Sequence, residues 1–532
     1  MTLRHGKTTT SLPPPIQEFR DLIFTRTFSV FDRNNEAAAN SPFYGFFTLS
    51  WLALTLFILK TAVENWKVHG NPLGTNDIMK IMFSRDVFVL LASDGAMCAL
   101  MVVPWLLQKV VLYGYIDWDR TGWLFQSIWE VMFMYSFVGL TIARDWPWTH
   151  TVFFVLHGLV LLMKQHSFAF YNGYLSTLYK ERILLMSTRE KLHSRSARGD
   201  ASTASSTSVS TKSVRYSRRG SVWTRQQLRR PSAREDFETD EPEIDQVISE
   251  INSDAPIAAE NVPLYGTVLE DEIDFHTKEL VRNTTAKDRA YPNNLNLFNL
   301  AEYLLLPTVV YELEYPRTES INWYYVLEKV AAIIGILFVM NLLSQTFIYP
   351  VVVRAVSLKE MGVPLSQRLR EFPWMLSDLI FPFMAEYLLT WFLIWETILN
   401  ALAEVTRFAD RNFYGPWWNS VSWDQYARDW NKPVHFFLLR HVYHSSISTL
   451  KVGKHTATLI TFFLSAVLHE LIMWCLFKKL RGYLLVLQMC QLPMVRLSRT
   501  RWLRDRKILG NIFFWFGLFT GPSVLCSLYL IL

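Results

Sequence analysis

The chain is poor in cysteine. Cys98, Cys475, Cys490 and Cys526 are the four thiols in 532 residues, and all fall in apolar stretches. Their spacing suits neither zinc nor haem, so they read as buried free thiols. A Gly-x-Ser-x-Gly elbow is missing, which leaves a serine hydrolase without support. No second histidine stands at zinc-protease spacing from His469, which disfavours a metalloprotease. Charged residues make up 19%, with a formal net charge of +6. So modest a balance reflects charged loops, and no motif for nucleic acid is present. The first 42 residues are polar and carry Arg4, Lys7, Arg20, Arg26 and Arg33, so no cleavable signal peptide is expected there.

Apolar and aromatic residues are plentiful. The chain is 51% hydrophobic and 15% aromatic, with 20 Trp, 22 Tyr and 37 Phe. Several apolar runs are long enough to cross a hydrocarbon core of about 30 Å, and the aromatics suit interfacial belts. Nine spans are expected, at 43–64, 88–112, 122–143, 148–168, 325–353, 376–403, 456–478, 481–497 and 511–532. Backbone polar groups in lipid must be satisfied internally, so these are helices, and none alternates as a membrane barrel strand would. The expected fold class is all-α, a polytopic membrane protein.

Four regions follow. Residues 1–42 form a tail, 43–175 a first group of four helices, 176–297 an insertion, and 298–532 a second group of five helices. The insertion is rich in Ser, Thr and Arg over 188–234 and acidic over 235–274, a composition expected to stay largely disordered. Arg218-Arg219-Gly220-Ser221 and Arg229-Arg230-Pro231-Ser232 resemble basic-directed kinase sites, although a plain solvated linker reads as well. Positive charge in the tail, in the insertion and at Arg496, Arg499, Arg501, Arg504, Arg506 and Lys507 places all three on the cytosolic side. The loop with Arg354, Lys359, Arg368 and Arg370 disagrees, being lumenal in this arrangement. The Asn283-Thr284-Thr285 sequon is then cytosolic and expected to stay unglycosylated.

Two features carry chemistry. His469 lies inside Leu464–Met473, an apolar run, and an ionisable group there is costly unless it faces a cavity or a partner. The second feature is the segment 407–443. It interleaves Asp410, Arg411, Asp424, Arg428, Asp429 and His435 with Phe413, Tyr414, Trp417, Trp418, Trp423, Tyr426 and Trp430. Rings with one polar tip suit a membrane interface, and Arg beside rings can grip adenine and phosphates. An amphipathic anchor and a core histidine are the plainer alternatives. Otherwise a general base with a partner from another segment remains, Asn431 being the leading choice 38 residues earlier. Cys475, six residues from His469, turns off its helical face.

Phe413-Tyr414-Gly415-Pro416-Trp417-Trp418-Asn419 resembles the Phe-Tyr-x-Asp-Trp-Trp-Asn signature of the membrane-bound O-acyltransferases that esterify sterols and diacylglycerol. Phe408-Ala409-Asp410-Arg411, Trp430-Asn431 with His435, Leu439-Arg440-His441-Val442-Tyr443 and Ser465-x-x-x-His469-Glu470 extend the likeness. So do Thr27–Arg33, Tyr315–Thr318 and Trp323–Lys329, so that it covers most of the chain outside 188–274. The whole pattern most resembles the fungal sterol O-acyltransferases. One position departs: Pro416 stands where the signature has Asp, which removes a charge and a backbone donor.

The resemblance implies helices enclosing a chamber for lipid and acyl-CoA in the endoplasmic reticulum membrane. It implies His469 as catalytic base and Asn431 as its partner, with Tyr414, Trp417, Trp418, Arg428, Tyr443, Lys454 and Ser465 toward acyl-CoA. His435 matches with a structural part. Acyl-CoA is a substrate, so no cofactor is expected, nor a metal. A homo-oligomer, a dimer or larger, and membrane lipids are the expected partners, with no nucleic acid. The expected reaction moves an acyl group to a sterol 3β-hydroxyl with His469 taking the proton. Diacylglycerol O-acyltransferase is the near alternative. A non-enzymatic lipid transporter is another, although no internal repeat supports it. A sterol-binding regulator that lost activity through Pro416 is the third.

Overall fold

The computed structural model describes residues 24–532 except 33, 43, 73–77, 81–85, 198–243, 254–256, 259–260, 283, 285–287, 501–502 and 504–505. The described residues are helical, with no strand beyond the isolated bridges Thr27–Asp410 and Arg317–Phe408. Asn283 and both basic serine motifs lie outside the described residues.

In chain order, α1 is Tyr44–His69, α2 Val87–Leu112, α3 Trp123–Arg144 and α4 Trp148–Ala197. The insertion carries α5 (Ile244–Asn252) and α6 (Asn261–Val281), and α7 is Leu297–Leu305. Next come α8 (Trp323–Glu360) and α9 (Leu365–Val405). Then follow α10 (Trp423–Asp429) and α11 (Lys432–Phe437), the latter running on through Leu438–Tyr443 and His444–Thr449. The chain ends in α12 (Lys454–Phe477), α13 (Tyr483–Met489), α14 (Gln491–Ser498) and α15 (Lys507–Ile531).

Six described helices are long and apolar enough to cross a membrane: α2, α4, α8, α9, α12 and α15. The positions of α1 and α3 coincide with two more expected spans. The expected span 481–497 is not one helix. It breaks at Cys490 into α13 and α14, with Pro493 in the first turn of α14, where a missing N–H is tolerated. Cys490 at that break is exposed, contrary to the expectation of four buried thiols, whereas Cys475 is buried.

The insertion also differs from its composition. Helix α4 continues through its 50 residues, about 75 Å at 1.5 Å per residue. Its far end buries Leu185 and Leu192 against Val247, Ile251, Tyr265, Leu269 and Ile273 of α5 and α6. In α6 the buried residues are Tyr265, Leu269, Ile273, His276 and Leu280, a spacing of three and four that builds one helix face. That stripe is embedded in acidic text, which is why composition alone hides it. His276 to Glu181 and Arg189 to Glu270 run antiparallel along the same pair of helices.

Caps set where the short helices near the site begin. Asn322, Ser422 and Asn431 each accept a backbone N–H three residues on, starting α8, α10 and α11. The largest core cluster packs α4, α7, α9 and α15 around the 408–423 segment.

Candidate active site

The three dispersed motifs of the sequence meet at one place. Thr27 N–H donates to Ala409 O at 3.0 Å and Arg411 N–H to Thr27 O at 2.9 Å. Ala409 N–H donates to Pro316 O at 3.0 Å and Thr318 N–H to Arg407 O at 2.9 Å. Residues 24–32, 315–318 and 407–414 thus form one clamp, joined through main-chain hydrogen bonds.

Beneath the clamp lies a buried polar network. Lys329 Nζ of α8 donates to Glu396 Oε1 of α9 at 2.6 Å, and Tyr414 Oη donates to Glu396 Oε2 at 2.5 Å. Asn322 N–H donates to Glu404 Oε1 at 2.6 Å, and Arg411 pairs with the other oxygen of Glu404. Tyr325 donates to Asp32, and Ser29 Oγ donates to Arg411 O at 2.9 Å. Lys329, Glu396, Glu404 and Arg411 are all buried, and each stands against a partner of opposite charge, the arrangement a buried ionisable group needs. Sequence reading missed this network, yet Lys329 and Glu396 sit inside expected apolar spans, where an ionisable residue is itself a signal. Lys164 gave the same signal. Its ammonium donates to the carbonyls of Tyr303, Leu304 and Leu306 at 2.8, 3.0 and 2.7 Å, tying α4 to the end of α7.

The aromatic signature divides by burial. Tyr414 and Trp417 are fully buried and belong to the core, so neither offers surface to a ligand; both rings hold the segment in place. Burial and the nearby Glu396 carboxylate push the Tyr414 phenol well above its ordinary value, keeping it a neutral donor. Trp418 is part-exposed and stacks on Phe31 at 4.6 Å. Its carbonyl accepts from Asn511 Nδ2 at 3.0 Å and Trp515 Nε1 at 3.1 Å of α15.

Arg428 is exposed at the end of α10 and pairs with Asp424 at 3.1 Å. Asp424 Oδ2 also receives Arg499 at 3.1 Å, which brings the basic loop after α14 to the same edge. Burial pushes the Asp424 carboxyl up, but hydrogen bonds from Ser422, Arg499 and Arg428 outweigh it and leave the carboxyl below its ordinary range. His435 sits half-buried beside this edge, its ring held below its ordinary value by burial and by Arg428.

His469 projects from α12 with its ring exposed. Its Nδ1 lies 2.7 Å from Ser465 O. A carbonyl can only accept, so Nδ1 carries the proton and Nε2 keeps its lone pair free. That is the tautomer a general base requires. The next residue, Glu470, is buried and accepts from the N–H groups of Gly482, Leu484 and Leu485 at 2.6, 3.0 and 3.2 Å. Those bonds fix α13 against α12 and with it the rotation of α12 that points His469 outward.

Asn431 spends Oδ1 on capping α11, accepting Val434 N–H at 3.2 Å, so its NH2 is the half left to donate. No hydrogen bond joins Asn431 to His469 among the described residues; α11 runs from Asn431 into 438–443, which packs against α12. Tyr443 ends that stretch, in edge contact with His444 at 5.1 Å. Lys454 is exposed at the first turn of α12. Eleven residues separate it from Ser465, about 16 Å along the helix, and His469 follows one turn later. The helix therefore presents a cation, a hydroxyl and an imidazole in order along its length.

The membrane-bound O-acyltransferase family model matches residues 82–531. Sterol O-acyltransferase 2 of Candida albicans is 36% identical over 521 residues, covering 97% of this chain and 79% of that protein. The probable sterol O-acyltransferase 1 of Schizosaccharomyces pombe is 35% identical over 520 residues, with 96% and 87% covered. A diacylglycerol O-acyltransferase 1 of Dictyostelium discoideum is 30% identical over 240 residues, 45% of this chain and 37% of that protein.

Proposed function

The chain belongs to the membrane-bound O-acyltransferase family, a multi-pass membrane acyltransferase, and from that premise we propose that it moves a fatty acyl group from acyl-CoA to the 3β-hydroxyl of a sterol. The observation that carries the acceptor is coverage. Similarity to the sterol enzymes runs over 92–97% of the chain, against 45% for the diacylglycerol enzyme.

His469 takes the hydroxyl proton on Nε2 as the sterol oxygen attacks the thioester carbonyl, while Nδ1–H stays anchored on Ser465 O. The carbonyl oxygen gains negative charge, and the NH2 of Asn431 donates to it. Coenzyme A then leaves as the thiol with the proton from His469, so no acyl-enzyme is needed. Arg428 and Lys454, both exposed, meet its phosphates from the cytosolic side, while Ser465 and Tyr443 lie toward the thioester. Trp418 presents its free face, and buried Tyr414 and Trp417 hold it there. The protein resides in the endoplasmic reticulum membrane, with its N-terminus and the 176–297 insertion cytosolic, and works as a homo-oligomer.

Microsomes from cells without their own acyltransferases, expressing this chain or His469→Ala, test the reading with labelled oleoyl-CoA and a sterol or diacylglycerol. Sterol ester from the wild type and none from the variant is the expected result. Triacylglycerol in its place moves the assignment to the other acceptor, and wild-type turnover by His469→Ala refutes the base.

A further inference from the structure

We propose that Asp429 supplies the carboxylate that position 416 of the aromatic signature lacks, and that it is a positioning residue for Asn431. This rests on the acyltransferase reading above.

The geometry starts at Gly415. Its N–H donates to Asp429 O at 2.7 Å. A methyl group added at Gly415 would come within 2.8 Å of Asp429 Oδ1 and 2.9 Å of its Cγ. The glycine is therefore required by the Asp429 side chain, which fills the space a Cβ would take. The carboxylate lies directly on the backbone that leads into Pro416. Pro416 itself is exposed and begins the short turn Trp417–Asn419 without a side-chain cap.

Asp429 is also the last residue of α10, where a helix's own C-terminal carbonyls disfavour an anion. What offsets that cost is the Lys432 ammonium just beyond it. The Asp429 charge acts on the Lys432 ammonium and the His435 ring. Lys432 in turn returns to the signature segment, donating its N–H to Phe413 O at 3.0 Å and its Nζ to Asn412 Oδ1 at 2.6 Å. The turn 429–432 is thus pinned to 412–415 at both ends, and Asn431 sits inside it. The Asp429 carboxylate thus stands over the backbone at Gly415, one residue from 416, and acts on the Lys432 ammonium.

The test is an exchange in the full-length chain: Asp429→Asn, Pro416→Asp, and the two together. Turnover is read in microsomes with labelled oleoyl-CoA and sterol, and the unfolding midpoint of purified protein is read with and without oleoyl-CoA. Expected for Asp429→Asn is a loss of turnover of roughly tenfold or more, with the oleoyl-CoA shift diminished. The double variant is expected to regain both to within about threefold. A wholly structural role would lower the midpoint without ligand, leave the oleoyl-CoA shift intact, and not respond to Pro416→Asp. Wild-type behaviour of Asp429→Asn, or a double variant no better than the single, overturns the proposal. Should the wild type respond to oleoyl-CoA yet make no sterol ester, the acceptor assignment fails, and the ligand shifts across the four proteins still decide the exchange.

Discussion

Removing the charge of Lys329 leaves Glu396 buried at 2% side-chain exposure, with only Tyr414 and Asn400 to bond it. Breaking a buried pair from one side costs about 3–5 kcal/mol, because the orphaned charge keeps its desolvation penalty. At about 1.4 kcal/mol per factor of ten, that is about two to three and a half orders of magnitude in the folded ratio. Lys329→Met and Glu396→Gln should each be destabilised on this scale. Together they leave two neutral groups of similar size, and most of the loss should return, since neutral replacement of a whole buried pair is often tolerated. The assay is the fraction of protein that stays monodisperse after heating in detergent, followed by fluorescence-detected size exclusion. Ester formation is measured in parallel, because Tyr414 hangs on Glu396. Single variants as stable as wild type would refute the argument. So would a double variant whose loss equals the sum of the two singles, since independent sites add.

Asn431→Asp separates two duties of one residue: it retains the Oδ1 that caps α11 but loses the NH2. Its stability should match wild type while turnover falls by about 100- to 1000-fold, the usual loss for an oxyanion donor; activity within tenfold of wild type would remove Asn431 from that role. Gly173→Ala drives a methyl group to 2.1 Å from the Trp118 ring, so thermal stability should drop by about 1–3 kcal/mol, and an unchanged unfolding midpoint contradicts the packing. For His276, burial lowers the pKa, but hydrogen bonds to Glu181 and Glu272 prevail and raise it above its ordinary 6.5. A raised folded value means stabilisation that is complete below the unfolded value and lost as pH rises through the folded one. Amide protection of 261–281, corrected for intrinsic rate, should therefore fall from about pH 6 to about pH 8; equal protection would contradict it.

Six of the expected membrane helices and the segments of the candidate site were legible because apolar runs and aromatic clusters are local signals. The clamp was not, since Thr27 and Asp410 are joined by main chain and carboxylate across 383 residues. The motifs at both ends were visible as separate fragments, and only their pairing was hidden. The helices of the insertion escaped for a different reason: α6 spends just five buried positions on its contact, too few to colour the composition. Tyr414 and Trp417 could be named as important from their types, but not as core, because burial depends on what packs above them.

The threading of residues 24–32 into the clamp bears on the order in which this molecule can be made. Those residues leave the ribosome early, and their partners at 407–414 follow only after some 383 more have been added. At about 5–20 residues per second, the wait is about 20–75 s. Closing a loop of that length costs about 5 kcal/mol in chain entropy beyond a constant, if the segment between stays unstructured. Helices α1 to α9, laid down in the interval, shorten the effective loop and hand the early segment to the late one. Until then Ser29 lacks the Arg411 carbonyl and Glu396 lacks the Tyr414 hydroxyl. The enzyme is therefore inactive through most of its own synthesis, and residues 24–32 are among the last to find their place.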